Sequence, residues 1–349
     1  MLEKEKGMLA QRFRNFAKHE CKDSSELYEF LSKQIAEDKE LLELCTHTRA
    51  GQPIPNMLFG AVHYLLLKGT SHRLREYYPS IVQEPKDIKA SFIPFQDFCL
   101  HHKAEIQTLL ESKLVQTNEI RRCAYLYPSF CYMYNITKKP LALIEIGTSA
   151  GLQLLWDTYS YSYINNGTVY GNSQSSVHIS SEIKGMGSPL LYADSPPVTW
   201  KVGIDLHVSD VNDPADVQWL EALIWPEHQE RLALFKNAVK QMQENPVKLI
   251  EGDGVALLPE VAEKAPKDAT ICVFHTHVAN QISKELKLKL LQNIKRIGSK
   301  RDIFHLYNNI WDGDLHLDYV VGGKEYHHTI GETDGHGRWF SWNLFDGKG

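Results

Sequence analysis

The hydrophobic period of this chain changes once, at Pro140. From residue 8 to about 137, apolar residues recur at helical spacing with almost no alternation. Beyond Pro140, short apolar runs take turns with helical stretches, and that order buries both faces of a sheet only when its strands run mostly parallel beneath helices. The expected fold class is therefore α/β in two domains. An α-helical domain covers 1–138. A mostly parallel sheet with an antiparallel last strand covers 139–349 and carries a β-prone insertion at about 160–197.

Within the first part, Asp23 with Glu26 resembles a capping pair, and Leu27, Phe30, Leu31, Ile35, Leu41 and Leu42 follow as one apolar face. NMLFGAVHYLLLKG, 56–69, predicts a helix that is apolar nearly all round and stops at Gly69. Two more are expected at 96–112 and 117–135. In the second part the expected strands are LALIEI (141–146), VTWKVGID (198–205), VKLIEG (247–252), ATICVFH (269–275) and RDIFHLYNN (301–309). A helix is expected from Leu152, and a break near Pro226 divides the helical stretch between the second and third strands. LHLDYVVGG and RWFSWNLF alternate apolar and polar residues as a terminal antiparallel pair would.

With 38 Lys and Arg against 43 Asp and Glu, the net charge of −5 argues against a general polyanion-binding surface. The basic run from Lys284 to Arg301 reads as a solvated helix face, so nucleic acid is not the expected partner. No window is apolar enough to span a bilayer and the N-terminus has no apolar leader, so a cytoplasmic location is expected. The six cysteines are dispersed and form no CxxC pair, which points to reduced, packed thiols.

Ligands of open parallel sheets lie beyond the carboxyl ends of the strands. Those ends offer Glu145, Gly147, Thr148, Ser149 and Gly151; Asp205 and His207; Asp253; His275 and His277; Asn308 and Asn309. Glu145 can meet a ligand amine or shape its own turn. His275 and His277, two apart, face the same way if the segment is extended. They then suit catalysis as a general base and a substrate contact, or two metal ligands that lack a firm third. Asp213 before Pro214 reads as a helix cap. GETDGHG, with His336, reads as an exposed hairpin loop.

Glu145-Ile146-Gly147-Thr148-Ser149-Ala150-Gly151 resembles the acidic, glycine-rich loop of Rossmann-like S-adenosylmethionine-dependent methyltransferases, with Ser149 in place of the middle glycine. VGID and EGD are similar to the acidic ends of that fold's second and third strands. The resemblance implies a methyltransferase-type sheet that holds the methionine part at Gly147 to Gly151, the ribose at Asp205 and the adenine at Asp253. From RFRNFA through GIDLHVSDVNDPADVQWLEALIWPE and GDGVALLP to VFHTH, the chain also resembles a bacterial family known only as a domain of unknown function (DUF2332), which brings no activity with it. The expectation is a small-molecule enzyme that binds S-adenosylmethionine. The alternatives are a metal-dependent hydrolase or lyase using His275 and His277, and a non-catalytic nucleotide sensor or scaffold.

Overall fold

The computed structural model describes residues 2–164, 167–185 and 187–344. Six helices come first: α1 (Leu2–Phe16), α2 (Glu26–Ile35), α3 (Lys39–Cys45), α4 (Ile54–Leu67), α5 (Phe92–His101) and α6 (Lys103–Ser112). Next are α7 (Cys123–Thr137), β1 (Leu141–Ile146), a 3₁₀ turn at Leu152–Thr158, and the short strands β2 (Ser160–Tyr163), β3 (Val169–Gly171) and β4 (His178–Lys184). Then come β5 (Val198–Asp205), α8 (Pro214–Ala222), α9 (Gln229–Glu244), β6 (Lys248–Glu251), α10 (Gly254–Glu263), β7 (Thr270–His275), α11 (Lys284–Gly298) and β8 (Ile303–Tyr307). The last strands are β9 (Leu315–Val321), β10 (Lys324–Gly331) and β11 (Trp339–Ser341).

Two compact units result, residues 1–117 with 213–233, and 118–212 with 234–349. The first is helical, and its core is rich in aromatic rings: Phe13, Phe16, Phe59, Phe95 and Trp219 are buried, and Tyr28 stacks on Phe59 at 4.0 Å. The cap of α2 is Ser25, whose Oγ accepts from Tyr28 N, whereas Asp23 is in a left-handed turn with φ 60°. Asp38 caps α3 separately, so residues 27–42 make two helices rather than one face. The stretch expected as one helix at 96–112 is likewise divided, into α5 and α6. Residues 213–233 join this unit because Trp219 is packed in its core and donates Nε1 to Leu114 O at 2.7 Å. α7 goes with the sheet, where Phe130 stacks on Trp156 at 4.5 Å and meets Phe274 edge-on at 5.4 Å. The division drawn in the sequence at 138 falls after that helix.

The second unit holds a seven-stranded sheet in the order β10-β9-β8-β7-β1-β5-β6. β6, β5, β1, β7 and β8 are parallel, β9 is antiparallel to β8, and β10 is antiparallel to β9. Numbered along the chain, the five parallel strands stand 3-2-1-4-5, a doubly wound arrangement. All six residues of β1 are buried, as a central strand covered on both faces requires. Ala142, Ile144, Val202, Ile204, Val273 and Ile303 share one core with Val261 of α10 and Ile294 of α11.

A second sheet, β11-β4-β2-β3, accounts for the insertion. β2 pairs antiparallel with β3 but parallel with β4, and β11 adds parallel to β4. RWFSWNLF therefore leaves the main sheet, and the partner of LHLDYVV is KEYHHTIG. Alternation identifies a strand and its buried face; it does not choose the neighbour.

Candidate functional site

The chain leaves β1 for β5 and β6 on one side of the sheet, while β7 and β8 build the other, so the topological switch point lies between β1 and β7. Around it gather the loops that come after the parallel strands.

The turn after β1 is closed on itself. Gly147 N and Thr148 N donate to Ile204 O at 2.8 and 3.3 Å, Ser149 N to Asp205 Oδ2 at 2.7 Å, Ala150 N to Asn118 Oδ1 at 3.4 Å, and Gly151 N to Thr148 O at 2.8 Å. All five amides are thus spent within the protein. Gly147 and Gly151 have φ 75° and 73°, and a Cβ there would lie 2.3 Å from Val278 Cγ2 and 2.6 Å from Met242 Cε. Both glycines serve the packing of side chains against the turn. Ser149 also has a left-handed φ of 51°, and its Oγ accepts from Asn118 Nδ2 at 2.9 Å. From Leu152 the chain forms the 3₁₀ turn running into β2, not the α-helix expected there. The anion-attracting terminus of a long helix is absent at this turn.

Carboxyl groups lie at or just beyond the ends of three neighbouring strands. Glu145 is 4% exposed and accepts from Thr148 Oγ1 at 2.5 Å. Burial pushes its pKa up to about 8, the Thr148 hydroxyl opposes that rise, Asp205 adds to it, and Arg122 opposes it. Asp205 is half-buried, accepting from Ser149 N with Oδ2 and from His207 N with Oδ1 at 3.1 Å. Next to it, Leu206 is 76% exposed. Asp253 is exposed and caps α10 with Oδ1 alone, accepting from Val255 N at 2.8 Å and Ala256 N at 3.2 Å. Its second oxygen has no part in the cap.

The two histidines part company. β7 ends at His275, and His277 adopts φ 57°, so the segment is not extended and the same-face rule does not apply to the pair. His275 is 1% exposed, with Nε2 3.2 Å from Nε2 of His305 on β8 and its ring stacked on Tyr307 at 5.9 Å. Burial drives its pKa down to about 3 and that of His305 well below the ordinary range, so the two rings share a single N–H···N bond as neutral groups. His277 donates its backbone N to Asn308 Oδ1 at 2.7 Å, and Asn309 Nδ2 lies 3.4 Å from His277 Nδ1. Burial lowers its pKa to about 4, Arg122 and His336 lower it further, and Asp334 works against them.

Several residues at this edge carried no signal in the sequence. The segment 118–122 supplies Asn118, Glu119 and Arg122, the last two buried. Arg122 donates Nε to Gly335 O at 3.0 Å and Nη1 to Thr276 Oγ1 at 3.5 Å. Thr276 Oγ1 in turn donates to Gln153 Oε1 at 3.2 Å, and Gln153 Nε2 donates to Glu119 O at 3.2 Å. His336 Nδ1 lies 3.1 Å from Glu119 Oε2, and Ser181 Oγ donates to Gly337 O at 2.8 Å. GETDGHG does form a hairpin turn, with Thr333 bridged to Phe340, but it is docked on the 118–122 turn and β4 and is not the exposed loop expected. Only spatial neighbours reveal this group, because its members are separated by up to 217 positions along the chain.

Among the described residues no three His, Cys, Asp or Glu side chains gather as a metal-binding set, and no helix is long and apolar enough to cross a membrane. Fold and site together define an α/β protein with an open, mostly parallel sheet and polar side chains along the carboxyl ends of its parallel strands. Within that class the chain belongs to the bacterial family described as "Uncharacterized protein conserved in bacteria (DUF2332)", which it matches over residues 10–342. No curated protein and no solved structure matches it.

Proposed function

We propose that the protein is a small-molecule enzyme of methyltransferase type that binds S-adenosylmethionine along the carboxyl edge of its parallel sheet. The observation that carries this reading is the run of carboxyl groups at the ends of β1, β5 and β6, with exposed Leu206 beside Asp205. An apolar surface next to carboxylates suits a ligand that joins a flat base to a diol. The fit is through side chains and not through loop amides: Asp205 would hold the ribose hydroxyls and Asp253 Oδ2, which takes no part in the helix cap, the adenine amine, while the Gly147 to Gly151 amides are already bonded.

The bound group would supply an electrophilic methyl on a sulfonium, which leaves the protein the tasks of alignment and proton removal. Glu145, with a pKa near 8, is matched to proton transfer close to neutrality, whereas His277, with a pKa near 4, serves better as a neutral hydrogen-bonding contact. His275 is 1% exposed and bonded to His305, which is itself fully buried, so neither ring is given the role of base. The metal-dependent alternative gains no third ligand beside His275 and His277 among the described residues.

Calorimetric titration of S-adenosylmethionine and S-adenosylhomocysteine into wild type and Asp253→Asn tests the proposal. Asparagine preserves the helix cap and removes the charge. Saturable binding is expected, weakened at least about tenfold in the folded variant, a loss of about 1.4 kcal/mol. Absence of binding to folded wild type would sink the proposal.

A further inference from the structure

The edge near β7 and β8 holds a buried cation and two buried hydrogen-bond donors that lack an acceptor among the described residues. Arg122 is 7% exposed, yet no carboxylate among the described residues pairs with it: its bonds go to Gly335 O and Thr276 Oγ1. Of the carboxyl groups at hand, Glu119 meets His336 and Asp334 meets Arg338 through two charge-assisted bonds of 2.9 and 3.0 Å, while Glu145 feels Arg122 without forming an ion pair with it. A guanidinium withdrawn from water without a directly paired carboxylate is costly, and an anion would complete its surroundings.

Two neutral donors point to the same chemistry. Asn309 Nδ2 donates to His277 Nδ1, which assigns the ring proton to Nε2, and that nitrogen is buried with no partner among the described residues. Asn308 is fully buried; its Oδ1 accepts from His277 N and Asn309 Nδ2, while its own Nδ2 has no partner among the described residues. These groups are neighbours. Arg122 holds Gly335 by its carbonyl, and a Cβ on Gly335 would stand 4.0 Å from His277 Cε1. One buried cation and two unpartnered N–H donors in one cluster of neighbouring residues favour an ionised oxygen ligand.

We propose that Arg122, His277 and Asn308 form a carboxylate-binding subsite at the carboxyl ends of β7 and β8. It rests on the sheet edge being the ligand site, as in the reading above, and not on the identity of the cofactor. The carboxylate belongs either to the amino-acid end of the cofactor or to a separate small acid that is the substrate.

The test is the unfolding temperature of wild type, Arg122→Gln and Asn308→Asp in rising malonate, against chloride of equal ionic strength. Asn308→Asp keeps the shape and the accepting oxygen but loses the donor, so it decides the matter should Arg122→Gln fail to fold. The expected result is a saturable rise of about 2 °C in wild type that both folded variants lose. No rise beyond chloride in wild type, or a rise kept in Asn308→Asp, would overturn the subsite. S-adenosylhomocysteine titrated in saturating malonate then separates the sources. Competition assigns the carboxylate to the cofactor, and simultaneous binding assigns it to a second molecule. Failure of S-adenosylhomocysteine to bind while malonate still stabilises would end the cofactor reading and leave the subsite standing.

Discussion

At the scale of single residues, the turn after β1 shows why a glycine-rich motif is ambiguous. Gly147 and Gly151 are needed, but for protein side chains: Val278 fills the space over the first and Met242 that over the second. Gly147→Ala must force a left-handed φ of 75° and a 2.3 Å clash, and we expect a loss of roughly 2–3 kcal/mol in denaturant titration. Adding Val278→Ala should return the steric share and leave about 1 kcal/mol of backbone strain. Glu145 yields a pH prediction. Its folded pKa near 8 exceeds the ordinary 4.5, so between those values the folded protein keeps a proton that the unfolded chain has released. Stability from this group is full below pH 4.5 and is lost as pH rises through 8. Glu145→Gln, always neutral, should escape a loss on the order of 4 kcal/mol, measured by urea midpoints from about pH 5 to about pH 8.5.

At the scale of elements, the neutral pair His275 and His305 couples β7 to β8. Burial depresses both pKa values, that of His275 from 6.5 to about 3. The unfolded chain takes up protons below pH 6.5 while the fold refuses them until about 3, so stability falls as pH drops through that window. The double variant His275→Gln/His305→Gln should flatten the slope of melting temperature between those limits; an unchanged slope would remove the pair as its source. The same elements show what the sequence can disclose. β1, β7 and β8 were legible because buried strands in such sheets are nearly continuous apolar runs, and LALIEI and ICVF are examples. Asp213 as cap of α8 was legible from its place before Pro214, and its side chain accepts from Ala215 N at 2.8 Å. The 3₁₀ turn after Gly151 was not: LQLLW has helical propensity, yet Leu152–Thr158 winds as 3₁₀ and runs directly into β2 at Ser160. Nor was the docking of GETDGHG legible, because it depends on Glu119 and Arg122, which meet it from a distant part of the chain.

At the scale of the whole molecule, two compact units share one chain, and each is assembled from segments that are not contiguous. That arrangement hid the unit boundary from composition and period alone, since 213–233 and 118–137 are both helical and differ only in what they pack against. The charge balance, by contrast, was legible at once, and the net −5 suits a small polar ligand better than a polyanion. The site's members belong to the unit that carries the sheet, with donors gathered by β7 and β8 and carboxyls by β1, β5 and β6. The central claim is that this one edge binds the ligand. Hydrogen–deuterium exchange of the wild-type protein with and without saturating S-adenosylhomocysteine tests it most directly. Slower exchange is predicted, confined to the segments just after β1, β5, β6 and β7 and to the 118–122 turn. Slowing confined to other segments, or no change at any of these, would contradict it.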